Sequence, residues 1–194
     1  MLTCDENHVY TNEFGMVIPN VTTILQYEGF VDFSKVPKDV LAPAQKFGTD
    51  VHLGCYLSDN DQFDHEKADK EILPYVEAWQ KFLDEKDAKV IMSENIVHSN
   101  VCNFCGRIDR VLEIKGVNGI YDIKTGAGCS LQTAAYKIAL DEEYPELKLK
   151  ERGFIKLSKT GYKFIEHKDK TEESTWKSIM VVNNSRPKYN KGAK

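Results

Sequence analysis

Gly106-Arg107-Ile108-Asp109, followed by Tyr121-Asp122-Ile123-Lys124-Thr125, is the stretch whose reading decides the fold. Ile108, Leu112 and Ile114 recur at even spacing and predict a strand over Phe104–Ile114. Gly116-Val117-Asn118-Gly119 predicts the turn that follows, and Ile120–Lys124 the next strand. Side chains two apart on a strand share a face, so Asp122 and Lys124 point one way while Tyr121 and Ile123 point to the opposite layer. Pairing the two strands brings Asp109 beside that polar edge. Two carboxylates and an ammonium then share one site. Carboxylates suit a hard divalent cation, and a lysine beside the cation suits the activation of water against a phosphodiester. An Asp-x-Lys on a strand is more often a solvated ion pair, so its meaning depends on the rest of the chain.

Upstream, Val90–Val97 reads as the first of three successive strands, with Glu94 within it. Val40, Leu41, Ala44, Phe47, Val51 and Leu53 give a helical rhythm from Asp39 to about Leu57, with His52 in its later half. A second helix is expected from Glu66 to about Lys86, bent or broken by Pro74. Val21–Tyr27 reads as a short helix capped by Asn20, and residues 8–18 as a hairpin around Asn12-Glu13-Phe14-Gly15. Downstream, Ser130 is placed to cap a helix over Leu131–Leu140. Strands Glu151–Leu157 and Tyr162–His167 flank a Lys159-Thr160-Gly161 turn, and Thr171 to about Val182 forms a last amphipathic helix. This order predicts an α/β (α+β) fold: a mixed central sheet flanked by helices, in one domain spanning 1–194. Residues 1–87 form a mainly helical N-terminal part, 88–182 the sheet and its helices, and 183–194 a basic tail.

The 194 residues carry a formal charge of −4, with 41% hydrophobic and 29% charged residues, the profile of an ordinary globular domain. No apolar run approaches the ~18 residues of a membrane span, and the N-terminus lacks the basic and apolar regions of a secretory signal. A cytoplasmic protein with no membrane partner is expected. Five cysteines, odd in number and scattered, argue for reduced structural thiols. Cys102-x-x-Cys105 has no second Cys/His pair at zinc-site spacing. The negative charge argues against a protein that coats nucleic acid, though a local groove can be positive on an acidic body. The tail from Asn183 to Lys194 contains Arg186, Lys188, Lys191 and Lys194 and no acid.

Taken in order, Gly48-x-x-x-His52, Ser93-Glu94, Gly106-x-x-Asp109, Asp122-x-Lys124-Thr125-Gly126 and Gln132-x-x-x-Tyr136 resemble the PD-(D/E)XK nuclease superfamily. The likeness is to its RecB-like, phage-type exonuclease branch, and covers roughly residues 40–140; Pro19–Leu25 also resembles the N-terminal segment of such exonucleases. The resemblance implies a restriction-endonuclease-like core and a Mg²⁺- or Mn²⁺-dependent deoxyribonuclease of phage or recombination and repair type, acting in the host cytoplasm if phage-encoded. It implies Asp109 and Asp122 as metal-binding acids and Lys124 as the catalytic lysine. His52 and the Ile123 backbone carbonyl are implied as further ligands, with Glu94 binding directly or through water. Gln132 and Tyr136 are implied as substrate-positioning residues, and Thr125 as a site of close phosphate approach. DNA, linear or with free ends, is the implied partner. An oligomer is compatible with the pattern, and so is a catalytically silent or endonucleolytic module on the same fold. No cysteine follows Cys129, so the iron–sulfur pattern of some relatives is not expected.

Overall fold

Lys115 and Gly116 both adopt positive φ (50° and 76°) in the computed structural model, the backbone of a two-residue hairpin turn whose twist matches its strands. The structure describes residues 2–5 and 8–186. In chain order, three short strands, β1 (Thr3–Cys4), β2 (Tyr10–Thr11) and β3 (Val17–Ile18), form a small antiparallel sheet. Helices α1 (Val21–Tyr27), α2 (Lys38–Asp59) and α3 (Leu73–Lys86) follow. Next come β4 (Ala88–Ser93), β5 (Ile96–Ser99), β6 (Phe104–Arg107), β7 (Arg110–Ile114) and β8 (Val117–Lys124). The chain ends with α4 (Ser130–Glu143), β9 (Glu151–Ser158), β10 (Gly161–Glu166) and α5 (Glu172–Ser185).

The main sheet has the order β10-β9-β8-β7-β4. Its neighbours are antiparallel except β8 and β9, and a parallel pair requires a crossover, which contains α4. The expected mixed sheet flanked by helices is present. Leu112, Tyr121, Ile123 and Ile155 pack on one face against Val51, Val76, Trp79 and Phe82 of α2 and α3. On the other, Val111 and Ile120 meet Leu131, Ala135 and Ile138 of α4, with Trp176 of α5 and Ile24 of α1. Residues 120 to 123 thus alternate between layers as their period requires. No helix among the described residues is long and apolar enough to cross a membrane.

Four local expectations are corrected. The central turn is Lys115-Gly116; Val117, Asn118 and Gly119 already belong to β8. Gly119 is there for close approach, since a Cβ on it would lie 2.7 Å from the Tyr121 hydroxyl. The expected strands Val90–Val97 and Phe104–Ile114 are each broken in two, at Glu94 (φ 57°) and around Ile108-Asp109. Across the break Glu94 N–H donates to the Asp109 carbonyl (3.0 Å) and Ile108 N–H to that of Asn95 (2.9 Å). One long hairpin therefore leaves the main sheet and continues as the separate β5–β6 pair. The helix expected from Glu66 begins only at Leu73, so Pro74 does not bend it but sits in its first turn, where its missing N–H costs nothing. Cys129, not Ser130, precedes α4 as its cap residue; the Ser130 hydroxyl instead bonds Glu172.

Candidate metal centre

Val51 and Cys55 anchor α2 against the sheet at zero exposure, which carries the neighbouring His52 to the carboxyl end of β8. There His52 Nε2 lies 2.9 Å from the Ile123 carbonyl oxygen, and Nδ1 3.4 Å from Asp109 Oδ1. Asp109 sits at the break between β6 and β7, free of ladder pairing. Its Oδ2 accepts the Ile123 N–H at 2.7 Å. Glu94, at the matching break between β4 and β5, completes a cluster. One ligand-type atom each from His52, Glu94 and Asp109 lie within 4.8 Å of one another. Two hard carboxylates with one imidazole, beside the Ile123 carbonyl, suit Mg²⁺ and, through the nitrogen, Mn²⁺.

Asp122 and Lys124 lie beside this cluster and pair with each other, Nζ to Oδ2 at 2.6 Å. The Asp122 side chain is only 2% exposed. Expected as a metal-binding acid, Asp122 is not among the three grouped side chains, and its carboxylate faces the Lys124 ammonium. Lys124 also donates to Gln132 Oε1 (3.1 Å), and Gln132 Nε2 reaches the Tyr136 hydroxyl at 3.4 Å. The spacing of Gln132 and Tyr136 on α4 does put them on one side. Tyr136 is nevertheless buried, its ring against Gly106: a Cβ on that glycine would meet Tyr136 Cε1 at 2.5 Å. It still lines the cleft above the cluster, beside Gln132. Thr125 follows β8, 3.7 Å from where a Cβ on Gly48 would stand, and does not line the cleft above the cluster. That cleft, of about 690 Å³, has His52, Glu94, Asp109, Lys124 and Gln132 among its lining residues.

The charges set the protonation states. Burial disfavours a charged His52, but Asp109, with Asp122 and Glu94 behind it, pushes its pKa up to about 9. Without a cation the imidazolium therefore occupies the cluster's centre of negative charge. Burial also opposes ionisation of Asp109, yet the charges of His52 and Lys124 and the Ile123 N–H hold its carboxyl below the usual range. Asp122 goes the other way: burial raises it, Lys124 pulls it down, and the Asp109 charge adds to the rise.

Two residues of this site were not expected from the sequence. Arg110 is fully buried. Its Nε donates to Asp59 Oδ2 (2.6 Å), and its NH1 to Glu94 Oε1 (3.0 Å) and the Asp109 carbonyl (2.7 Å). Asp59, at the end of α2, also accepts from Trp79 Nε1 at 2.7 Å. Arg110 thus ties α2 and α3 to two members of the cluster. The signal lay in the strand period, because Arg110 shares a face with Leu112 and Ile114, and a charge at a core position demands a buried partner. The five cysteines are free thiols. Arg186 pairs with Glu28 at 2.8 Å, and the rest of the basic tail, 187–194, lies outside the described residues.

No protein-family model matches the chain, and no curated protein matches it.

Proposed function

We propose that this chain is a Mg²⁺- or Mn²⁺-dependent deoxyribonuclease of exonuclease type, on a restriction-endonuclease-like core. The observation that carries the reading is the convergence of His52, Glu94 and Asp109 on the floor of an open cleft, with Lys124 beside them. Perturbed ligand-type groups gathered in one cleft mark a candidate functional site. His52, Glu94, Asp109 and the Ile123 carbonyl would hold the cation. When bound, it supplies Lewis acidity toward a phosphodiester oxygen and acidifies water. Lys124 orients the attacking water and offsets charge developing on phosphorus-bound oxygen. A bond forms from the water oxygen to phosphorus, and the bond to the leaving oxygen breaks. Asp122 and Gln132 hold the Lys124 ammonium in register, and Tyr136 lies beside Gln132.

The test is digestion of end-labelled linear single strand, linear duplex and covalently closed circular DNA, with Mg²⁺, with Mn²⁺ and after exhaustive chelation. Short products from linear DNA, metal-dependent, with closed circles persisting, are expected. Activity unchanged by chelation would refute the metal reading. Efficient internal cutting of closed single-stranded circles would refute the exonuclease reading alone.

A further inference from the structure

We propose that Arg107 is the phosphate anchor of this cleft and that the cleft takes one strand of DNA, not a duplex; the inference rests on the nuclease reading above. The walls of the cleft are polar but uncharged: Tyr10, Asn20 and Thr23 on the side of the small sheet and α1, Gln45 and Thr49 on α2. The cations lining it are Lys124 and Arg107, apart from the histidines. Lys124 is committed, to Asp122 at 2.6 Å and Gln132 at 3.1 Å. Arg107 is exposed, and no carboxylate among the described residues pairs with it. That is unusual for this molecule, in which Arg110, Arg152 and Arg186 all have carboxylate partners.

Arg107 ends β6, two residues before Asp109, and lines the cleft that holds the metal centre. A guanidinium there presents a donor fork that matches two phosphate oxygens. The size of the cleft bears on its occupant. Its 690 Å³ falls within the roughly 300–1,000 Å³ of sites that enclose a drug-sized molecule, the scale of one or two nucleotides. Walls on both sides, α1 with the small sheet and α2, suit a single strand better than a paired helix. Hydroxyl and amide walls then serve sugar and base edges, and affinity rests on few phosphates.

The experiment measures binding by fluorescence anisotropy with Ca²⁺ in place of Mg²⁺, using a labelled oligothymidine strand and a blunt duplex of equal length across a salt series. Wild type should prefer the strand. Arg107→Ala should weaken strand binding about tenfold or more and flatten the plot of log K against log salt by about 0.7, the value for one single-strand phosphate contact. Arg107→Lys should recover part of both. Ca²⁺ affinity of the DNA-free Arg107→Ala variant should be unchanged or tighter, because removing a cation near the ligands favours a bound cation; weakened metal binding would mark damage to the metal centre instead. An unaltered slope and affinity in Arg107→Ala would overturn the anchor, as would a loss explained by weakened Ca²⁺ affinity. Duplex binding as tight as strand binding would overturn the single-strand assignment. Mg²⁺-dependent digestion by wild type, run alongside, separates the two levels: cutting with unaltered Arg107→Ala binding refutes only this inference, whereas wild type that neither binds nor cuts refutes both.

Discussion

Replacing Arg110 by Met keeps most of the side-chain volume over the Trp79 ring, which the guanidinium carbon approaches at 5.6 Å, while removing the charge. Three hydrogen bonds are lost, to Asp59, Glu94 and the Asp109 carbonyl. The consequences differ by partner. Glu94 has a side chain 25% exposed and can turn to water. Asp59, at 2%, cannot, and keeps only the Trp79 indole as a donor. Stranding one member of a buried ion pair costs about 3–5 kcal/mol. A domain of this length loses about 2–4 °C of Tm per kcal/mol, so Arg110→Met should melt roughly 6–20 °C below wild type at pH 7. Urea unfolding followed by circular dichroism, with thermal scans in parallel, measures this. Adding Asp59→Asn removes the stranded charge and should restore about half of the loss. A cost for Arg110→Met below about 1 kcal/mol, or a double variant no more stable than the single one, would refute the view that Arg110 is retained to neutralise Asp59.

Lys124→Ala should abolish cleavage while Mn²⁺ affinity, measured by calorimetry, stays within a few-fold of wild type; because Asp122 then loses its ammonium partner, the metal-free variant should also melt lower than wild type. His52 carries a raised pKa of about 9 against an ordinary 6.5, so its contribution to metal-free stability is full below pH 6.5 and is lost as pH rises through 9. A bound cation must displace that proton, so metal affinity should strengthen with pH, by up to about tenfold per unit, and level off above pH 9; a Tm series with and without Mn²⁺ checks both signs. Gly106→Ala drives a methyl into the Tyr136 ring and should cost about 1–3 kcal/mol, with cleavage reduced through displaced Gln132; a wild-type Tm would show that the ring gives way freely.

The layers of the fold were legible because their signal is periodic. Tyr121 and Ile123 fell to one side of the sheet, and the even spacing of Ile108, Leu112 and Ile114 marked a strand. That spacing concealed the break at Asp109, since Ile108 is buried on both readings and nothing in residue type marks a strand that changes sheets. Glu94 was placed inside a strand because a positive φ is rare outside glycine and asparagine; tertiary pairing with Asp109 overrides that preference. His52 had no signature of its own on a helix, and its meaning comes from α2 docking against β8, a contact between distant parts of the chain. Gln132 and Tyr136 shared a helix face as their spacing implied, and both line the cleft, but how deeply Tyr136 is buried depends on Gly106 in a different sheet. Arg110 was the one missed residue with a readable sign.

The hairpin that changes sheets at Glu94 and Asp109 also bears on the order in which this site is assembled. Both carboxylates lie on one hairpin, linked by a short stretch of chain and brought level by its own cross-strand bonds. Hairpins close in microseconds, whereas contacts between distant segments wait on the slower search for overall topology. The oxygen donors are thus a local product of the chain, and the imidazole of α2 arrives from afar. A cation present during folding would meet the hairpin first and be held loosely by oxygen alone, then gain the nitrogen when α2 docks. Its stabilising effect should accordingly fall mainly on the unfolding rate, with refolding little changed.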